Sequence, residues 1–152
     1  MKKIFTFILL MASLMGTAFA QNALNEKGDN IIGIYLGTQG EDQFKAQFTK
    51  QNDGTYQCQI IWLEKDRDAN GNKLLDVKNP DKSLRNVPCD QIVVISGLKY
   101  DAEKQRWGDT KIYDPQRGIK AKVTGEFTKD GQLKLRGSVL GIGESVYWKK
   151  IK

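Results

Sequence analysis

Histidine is absent from all 152 residues of this chain. It is the usual general base near neutral pH and the commonest zinc ligand, so its absence removes the ordinary serine and cysteine triads and most catalytic zinc sites. Enzymatic activity is not expected. Asp and Glu are frequent, yet no spacing singles out a pair such as Asp109 and Asp114 as the two carboxylates of a glycosidase. Methionine is confined to Met1, Met11 and Met15, so any core beyond them is built from aliphatic and aromatic side chains. Past residue 20 nothing approaches the roughly 20 apolar residues that a helix needs to span a bilayer.

One long apolar run is present, at the N terminus. Lys2 and Lys3 precede it, it extends from Ile4 to Met15, and Ala18-Phe19-Ala20 follows. That order of charge, apolar stretch and A-x-A site is a secretory signal. The run is short for a membrane anchor, and no cysteine follows Ala20 to carry a lipoprotein anchor. Residues 1–20 are therefore expected to be a signal peptide cleaved near Ala20, leaving residues 21–152 as one soluble domain in the periplasm or outside the cell. Without Lys2 and Lys3 the 24 basic residues fall to 22 against 18 acidic, a net charge of +4. The lysines mostly alternate with apolar residues, as on solvated strand faces, so nucleic acid is not an expected partner.

Cys58 and Cys89 are the only cysteines. In an exported chain an even count invites a disulfide between them, the alternative being two buried, reduced thiols.

After a polar lead from Gln21 to Asp29, the chain reads as short strands divided by turn signals, with no helix-period segment. Asn30 to Leu36 is apolar on both faces. Phe44, Ala46 and Phe48 alternate with polar residues, and Asp53-Gly54 turns the chain toward Tyr56, Cys58, Ile60 and Trp62, which period two places on one face. Further strands are expected over Gln91 to Leu98 and Trp107 to Tyr113. Ile119, Ala121, Val123 and Phe127 then alternate with polar neighbours, Asp130-Gly131 turns into Leu133, Leu135 and Val139, and Ser145 to Ile151 closes the chain. About eight antiparallel strands in hairpin order are enough to close a barrel that holds side chains or one small ligand, although a two-sheet sandwich fits the count nearly as well.

Several segments carry a resemblance. Leu75-Asp76, the run Asn79-Pro80-Asp81-Lys82-Ser83-Leu84-Arg85, Trp107-Gly108, Lys111-Ile112-Tyr113-Asp114-Pro115, Leu133 to Gly137 and Tyr147-Trp148 resemble, in order and spacing, the exported bacterial family called domain of unknown function 2147. The resemblance implies a calycin-type, lipocalin-like barrel and leaves biochemical function open. Three departures stand out. Tyr35 occupies the opening strand where the family usually has Trp, Lys149-Lys150 follows Trp148 where the family has x-Arg, and Ile119-Lys120-Ala121 replaces a tyrosine after the IYDP turn. In calycins the opening aromatic lies beneath a basic residue of the closing strand, which makes Tyr35 with Lys150 the expected pair, worth roughly 0.5 to 2 kcal/mol.

The loop Asp66-Arg67-Asp68-Ala69-Asn70-Gly71 matches the start of a calcium loop, with Asp66, Asp68 and Asn70 as alternate ligands. Val77 stands where the bidentate Glu belongs, and Asp-, Asn- and Gly-rich loops are commonly plain turns. No other cofactor is expected. Arg85 is a candidate to meet a ligand carboxylate, or to pair within its own loop together with Asp81. Tyr35, Trp62, Trp107, Tyr113 and Trp148 are candidates to line a cavity, since binding sites are largely apolar with few polar groups. The expected function is a non-enzymatic barrel that binds a small, partly apolar ligand, the alternative being a filled barrel that meets an envelope protein through its surface.

Overall fold

A computed structural model describes residues 21–152. The expected signal peptide lies outside the described residues. Eight strands run β1 (Gly33–Gln39), β2 (Asp42–Lys50), β3 (Tyr56–Leu63), β4 (Val93–Asp101), β5 (Arg106–Asp114), β6 (Ile119–Phe127), β7 (Leu133–Val139) and β8 (Ile142–Lys150). Each pairs antiparallel with the next, and β1 pairs with β8, so the sheet is a closed up-and-down barrel. Closure leaves no edge strand, which removes the sandwich alternative. Short turns join every neighbouring pair except β3 and β4, which residues 64–92 connect.

Period-two alternation fills the interior. Tyr35 on β1, Phe44, Ala46 and Phe48 on β2, Tyr56, Cys58 and Ile60 on β3, and Leu133, Leu135 and Trp148 on the last two strands are all buried. Their rings form one chain across the barrel. Tyr100 meets Trp107 at 5.1 Å between centroids, Trp107 meets Phe127 at 5.7 Å, and Phe127 meets Tyr35 at 6.5 Å. Tyr35 continues to Phe48 at 5.5 Å, Phe48 to Trp148 at 6.3 Å, and Trp148 to Phe44 at 5.3 Å. Edge-to-face and tilted contacts at such spacings add to the burial of each ring. Phe44 fits because its cross-strand partner is Gly37, where a Cβ would come within 2.3 Å of the Phe44 ring.

One end of the barrel is plugged by the polar lead. Ala23–Asn25 and Gly28–Ile31 form two 3-10 turns, so the apolar stretch expected as a strand from Asn30 begins its ladder only at Gly33. The buried Asn25 accepts from the Phe127 N–H at 2.7 Å and donates to the Phe127 carbonyl at 3.0 Å. Trp107 Nε1 donates to the Gly28 carbonyl at 3.1 Å, and the Tyr56 hydroxyl donates to Asp29 at 2.6 Å. Asparagine is well suited to this seat because its amide offers both donor and acceptor to the Phe127 backbone, whose carbonyl also accepts from Asn22 at 3.0 Å. The opposite end, where the β1–β2, β5–β6 and β7–β8 turns lie with residues 64–92, is the mouth.

Candidate functional site

Tyr35 is at the plugged end, not the mouth. Its ring is fully buried, its hydroxyl donates to the Ile31 carbonyl at 2.8 Å, and burial pushes that hydroxyl far above the ordinary tyrosine range. Lys150 Nζ stands 5.9 Å from the ring centroid and donates to the Asn30 carbonyl at 2.8 Å, so the pair implied by the resemblance does form. Burial lowers the Lys150 pKa. Trp107 is likewise core at the plugged end. Trp148 faces inward beside Phe44, closer to the mouth.

Trp62 corrects the sequence reading. It is 39% exposed and lies outside the barrel, with Lys45 Nζ 5.1 Å from its ring. Lys45 pairs with Trp62 and Ala46 with Ile60, so Ile61 is an extra residue and β3 bulges there. A bulge inverts every side chain beyond it. Leu63 takes the inward place opposite Phe44.

Tyr113 is moved by the same device. Trp107 pairs with Gly125 but Thr110 pairs with Val123, a one-residue slip in β5 beside Asp109, whose φ is 64°. Past that bulge Ile112 faces inward with Ala121, while Tyr113 pairs with Lys120 on the outer wall. Tyr113 is nevertheless buried, because residues 64–92 fold over it. Its hydroxyl donates to Asp76 Oδ1 at 2.6 Å, and burial followed by the Asp76 carboxylate pushes that hydroxyl far upward. Asp76, 2% exposed, also accepts from Asn79 Nδ2 at 2.7 Å. Arg85 Nε donates to the Asn79 carbonyl at 2.8 Å, and Asp81 accepts from the Ser83 N–H at 2.9 Å. Arg85 and Asp81 therefore serve their own loop. Three of the segments that carry the resemblance meet in this one buried lock.

The remaining polar candidates are also engaged. Asp66 pairs with Lys73 at 2.6 Å, and Asp68 Oδ1 accepts from the Asn70 and Asn72 N–H groups at 2.9 Å each, the geometry of a turn. Among the described residues no three His, Cys, Asp or Glu side chains gather as a metal would require. Asp109 pairs with Lys99 and Asp114 with Arg117. Cys58 and Cys89 are free thiols, which corrects the disulfide expectation. Cys58 points into the core from the middle of β3, where burial drives its pKa far up, whereas Cys89 sits in a short 3-10 turn near Asp76 and Asp90.

Toward the mouth, some inward positions are less completely covered. Ile112, Ile119, Ala121, Gly137 and Val146 share the inward face with Val123, Leu135 and Trp148 by strand register. They lie above the rings of Trp148 and Phe44, and Ile119 and Val146 are 43% and 44% exposed. The small residues Ala121 and Gly137 occupy the centre of this wall, a Cβ on Gly137 lying 3.4 Å from that of Ala121. Arg117, in the β5–β6 turn, reaches Glu144 on β8 at 3.3 Å at the rim. Sequence reasoning placed Ile119 and Ala121 on an inward face but did not single them out, because partial exposure of an inward position is invisible to alternation.

The family model described as an uncharacterized protein conserved in bacteria (DUF2147) matches residues 33–150. That span starts at the first residue of β1 and ends at the last of β8. The chain belongs to DUF2147. Among solved structures, this DUF2147 chain is similar to protein HP1028 from the human pathogen Helicobacter pylori, described as belonging to the lipocalin family, at 25% identity and a TM-score of 0.63. The similarity covers 80% of this DUF2147 chain and 83% of that one. No curated protein matches. Among its described residues no helix is long and apolar enough to cross a membrane.

Proposed function

We propose that this chain is an exported, non-enzymatic binding protein that seats a small, partly apolar ligand in the mouth half of its barrel. One observation carries the reading: Ile119 and Val146 face inward yet stay 43% and 44% exposed above a closed aromatic floor. Burying such surface is worth about 25 cal/mol per Å², and a ligand with an apolar end gains it by filling the space that the protein leaves. The lipocalin description of the similar structure supports the same reading. Export rests on the N-terminal signal pattern.

The aromatic chain limits what fits. Rings from Tyr100 to Phe44 run from the plugged end toward the mouth, so the ligand is either short or projects from the mouth. Arg85 is committed to the Asn79 carbonyl, which leaves Arg117, paired with Glu144 at the rim, as the cation nearest a polar ligand end.

Native mass spectrometry of protein recovered from its own compartment tests this, with a reproducible added mass expected. Tryptophan fluorescence in a Trp62→Phe background, where Trp107 at the plugged end and Trp148 remain, titrated with anilinonaphthalene sulfonate, gives a second reading, the Trp148 share being the one a ligand at the mouth alters. Ala121→Phe fills the cup and is expected to abolish the Trp148 response. An unliganded spectrum together with a probe response indifferent to Ala121→Phe overturns the proposal.

A further inference from the structure

The β7–β8 hairpin carries the two most exposed large apolar side chains among the described residues, ahead of Val77 at 65%. Leu140 is 98% exposed, Ile142 is 82% exposed and Val139 is 47% exposed. Leu140 also holds a φ of 51°, a left-handed conformation that disfavours a leucine and suits Gly or Asn. A bulky apolar residue kept at a strained, solvent-facing tip spends stability without any packing return, so its use lies outside the fold.

A basic wall adjoins that tip. Lys111 and Lys122 are cross-strand partners on the outer face of β5 and β6, and like charges placed directly opposite repel. Lys122 in turn pairs with Ser138, next to the turn. Arg136 lies across Gly143 at the base of the same hairpin, where a Cβ would come within 2.8 Å of its guanidinium. Lys120 stands two residues from Lys122 on the same face, and an open cleft of about 410 Å³ runs beside Lys111 and Lys120 with Ser96 and Thr110. Among the described residues none of Lys111, Lys120, Lys122 and Arg136 makes an ion pair, although eight such pairs form elsewhere. Asp81 lies near enough to Lys120 to feel its charge, and Glu144 at the rim is paired with Arg117, which leaves Lys111, Lys122 and Arg136 to give the face its positive sign. A cationic face beside an apolar tip is complementary to an anionic surface with an apolar layer beneath it.

From this juxtaposition we infer that the barrel docks by its mouth rim on an anionic phospholipid bilayer. Leu140 and Ile142 enter the acyl boundary, while Lys111, Lys120, Lys122 and Arg136 meet lipid phosphates. The inference is independent of a bound ligand. It adds to the proposed function a route, because docking brings the open cup against the membrane.

Co-sedimentation with lipid vesicles tests it, using protein purified after its export. Binding is expected to vesicles of phosphatidylcholine mixed with phosphatidylglycerol, to be absent with pure phosphatidylcholine, and to fall steeply with added salt. Leu140→Asn with Ile142→Asn is expected to weaken binding roughly tenfold or more, and Lys111→Gln with Lys122→Gln by about tenfold. Leu140→Asn suits the turn and should fold at least as well, so its loss of binding is not a folding failure. Equal binding to neutral vesicles, no binding to either, or indifference to both pairs of substitutions overturns the inference. Capture of an acidic protein without vesicle binding does the same. Ala121→Phe is expected to leave vesicle binding unchanged, which separates this result from failure of the ligand reading.

Discussion

The Tyr113 hydroxyl donates to the buried Asp76 carboxylate at 2.6 Å, and this bond fastens the β3–β4 connection to the outside of the barrel. Asn79 supplies the other donor that Asp76 receives from a side chain. Removing one donor from a buried carboxylate costs roughly 1 to 3 kcal/mol. Tyr113→Phe is expected to lower stability by that amount and to raise amide exchange across residues 74–89 while β6 to β8 stay protected. Uniform exchange across the barrel would show that the bond does not act locally.

The plug predicts an acid response. Asp29 has its pKa held below the ordinary 3.8, first by the Tyr56 hydroxyl and then by Lys50. A depressed carboxylate contributes stability that is present above its unfolded value and is lost as pH falls through the folded value. Loosening of residues 22–31 is therefore expected below pH 3.8, and not between pH 5 and pH 8, where no histidine titrates. Asp29→Asn is expected to flatten that acid limb in a pH series of thermal melts.

Trp62 and Trp107 form an internal comparison. Trp107 is fully buried, and replacing a core aromatic by Ala costs roughly 3 to 5 kcal/mol. Trp62 lies outside under Lys45, so Trp62→Ala is expected to cost about 1 kcal/mol or less. Denaturant unfolding of the two variants measures the difference, and equal losses would return Trp62 to the interior.

Leu140→Asn is expected to raise stability by about 1 kcal/mol, because it relieves a left-handed leucine that buries almost nothing. A thermal melt gives the sign. A loss would mean that Leu140 supports the hairpin despite its exposure.

Most of the barrel is legible in the sequence. Ile119, Val123 and Phe127 alternate with polar residues over nine positions, and the ladder of β6 occupies the same range, Ile119–Phe127. Asp53-Gly54 and Asp130-Gly131 mark hairpin turns where Gly54 and Gly131 take positive φ. The candidate site was less legible. The spacing of Asp81 and Arg85 already offers pairing within their loop, which the structure shows for Arg85 with Asn79, whereas Asp76 stands in the sequence only within a motif, because a buried carboxylate and an exposed one look alike there. Asn22, Asn25 and Asp29 read only as part of a polar lead, whereas their partners Phe127 and Tyr56 lie far along the chain.

By itself the sequence determined the strand count, the hairpin order, the absence of histidine chemistry and family membership, all of which follow from local pattern and composition. Tertiary structure alone decided which aromatics face the lumen. Side-chain direction in a strand has a period of two, so one extra residue inverts every position beyond it, and among several register shifts in the described strands two, in β3 and β5, decide where candidate aromatics point. The bulge at Ile61 turns Trp62 out and Leu63 in. The slip beside Asp109 puts Tyr113 on the outer wall and Ile112 on the inner one, and with it decides where the β3–β4 connection is locked.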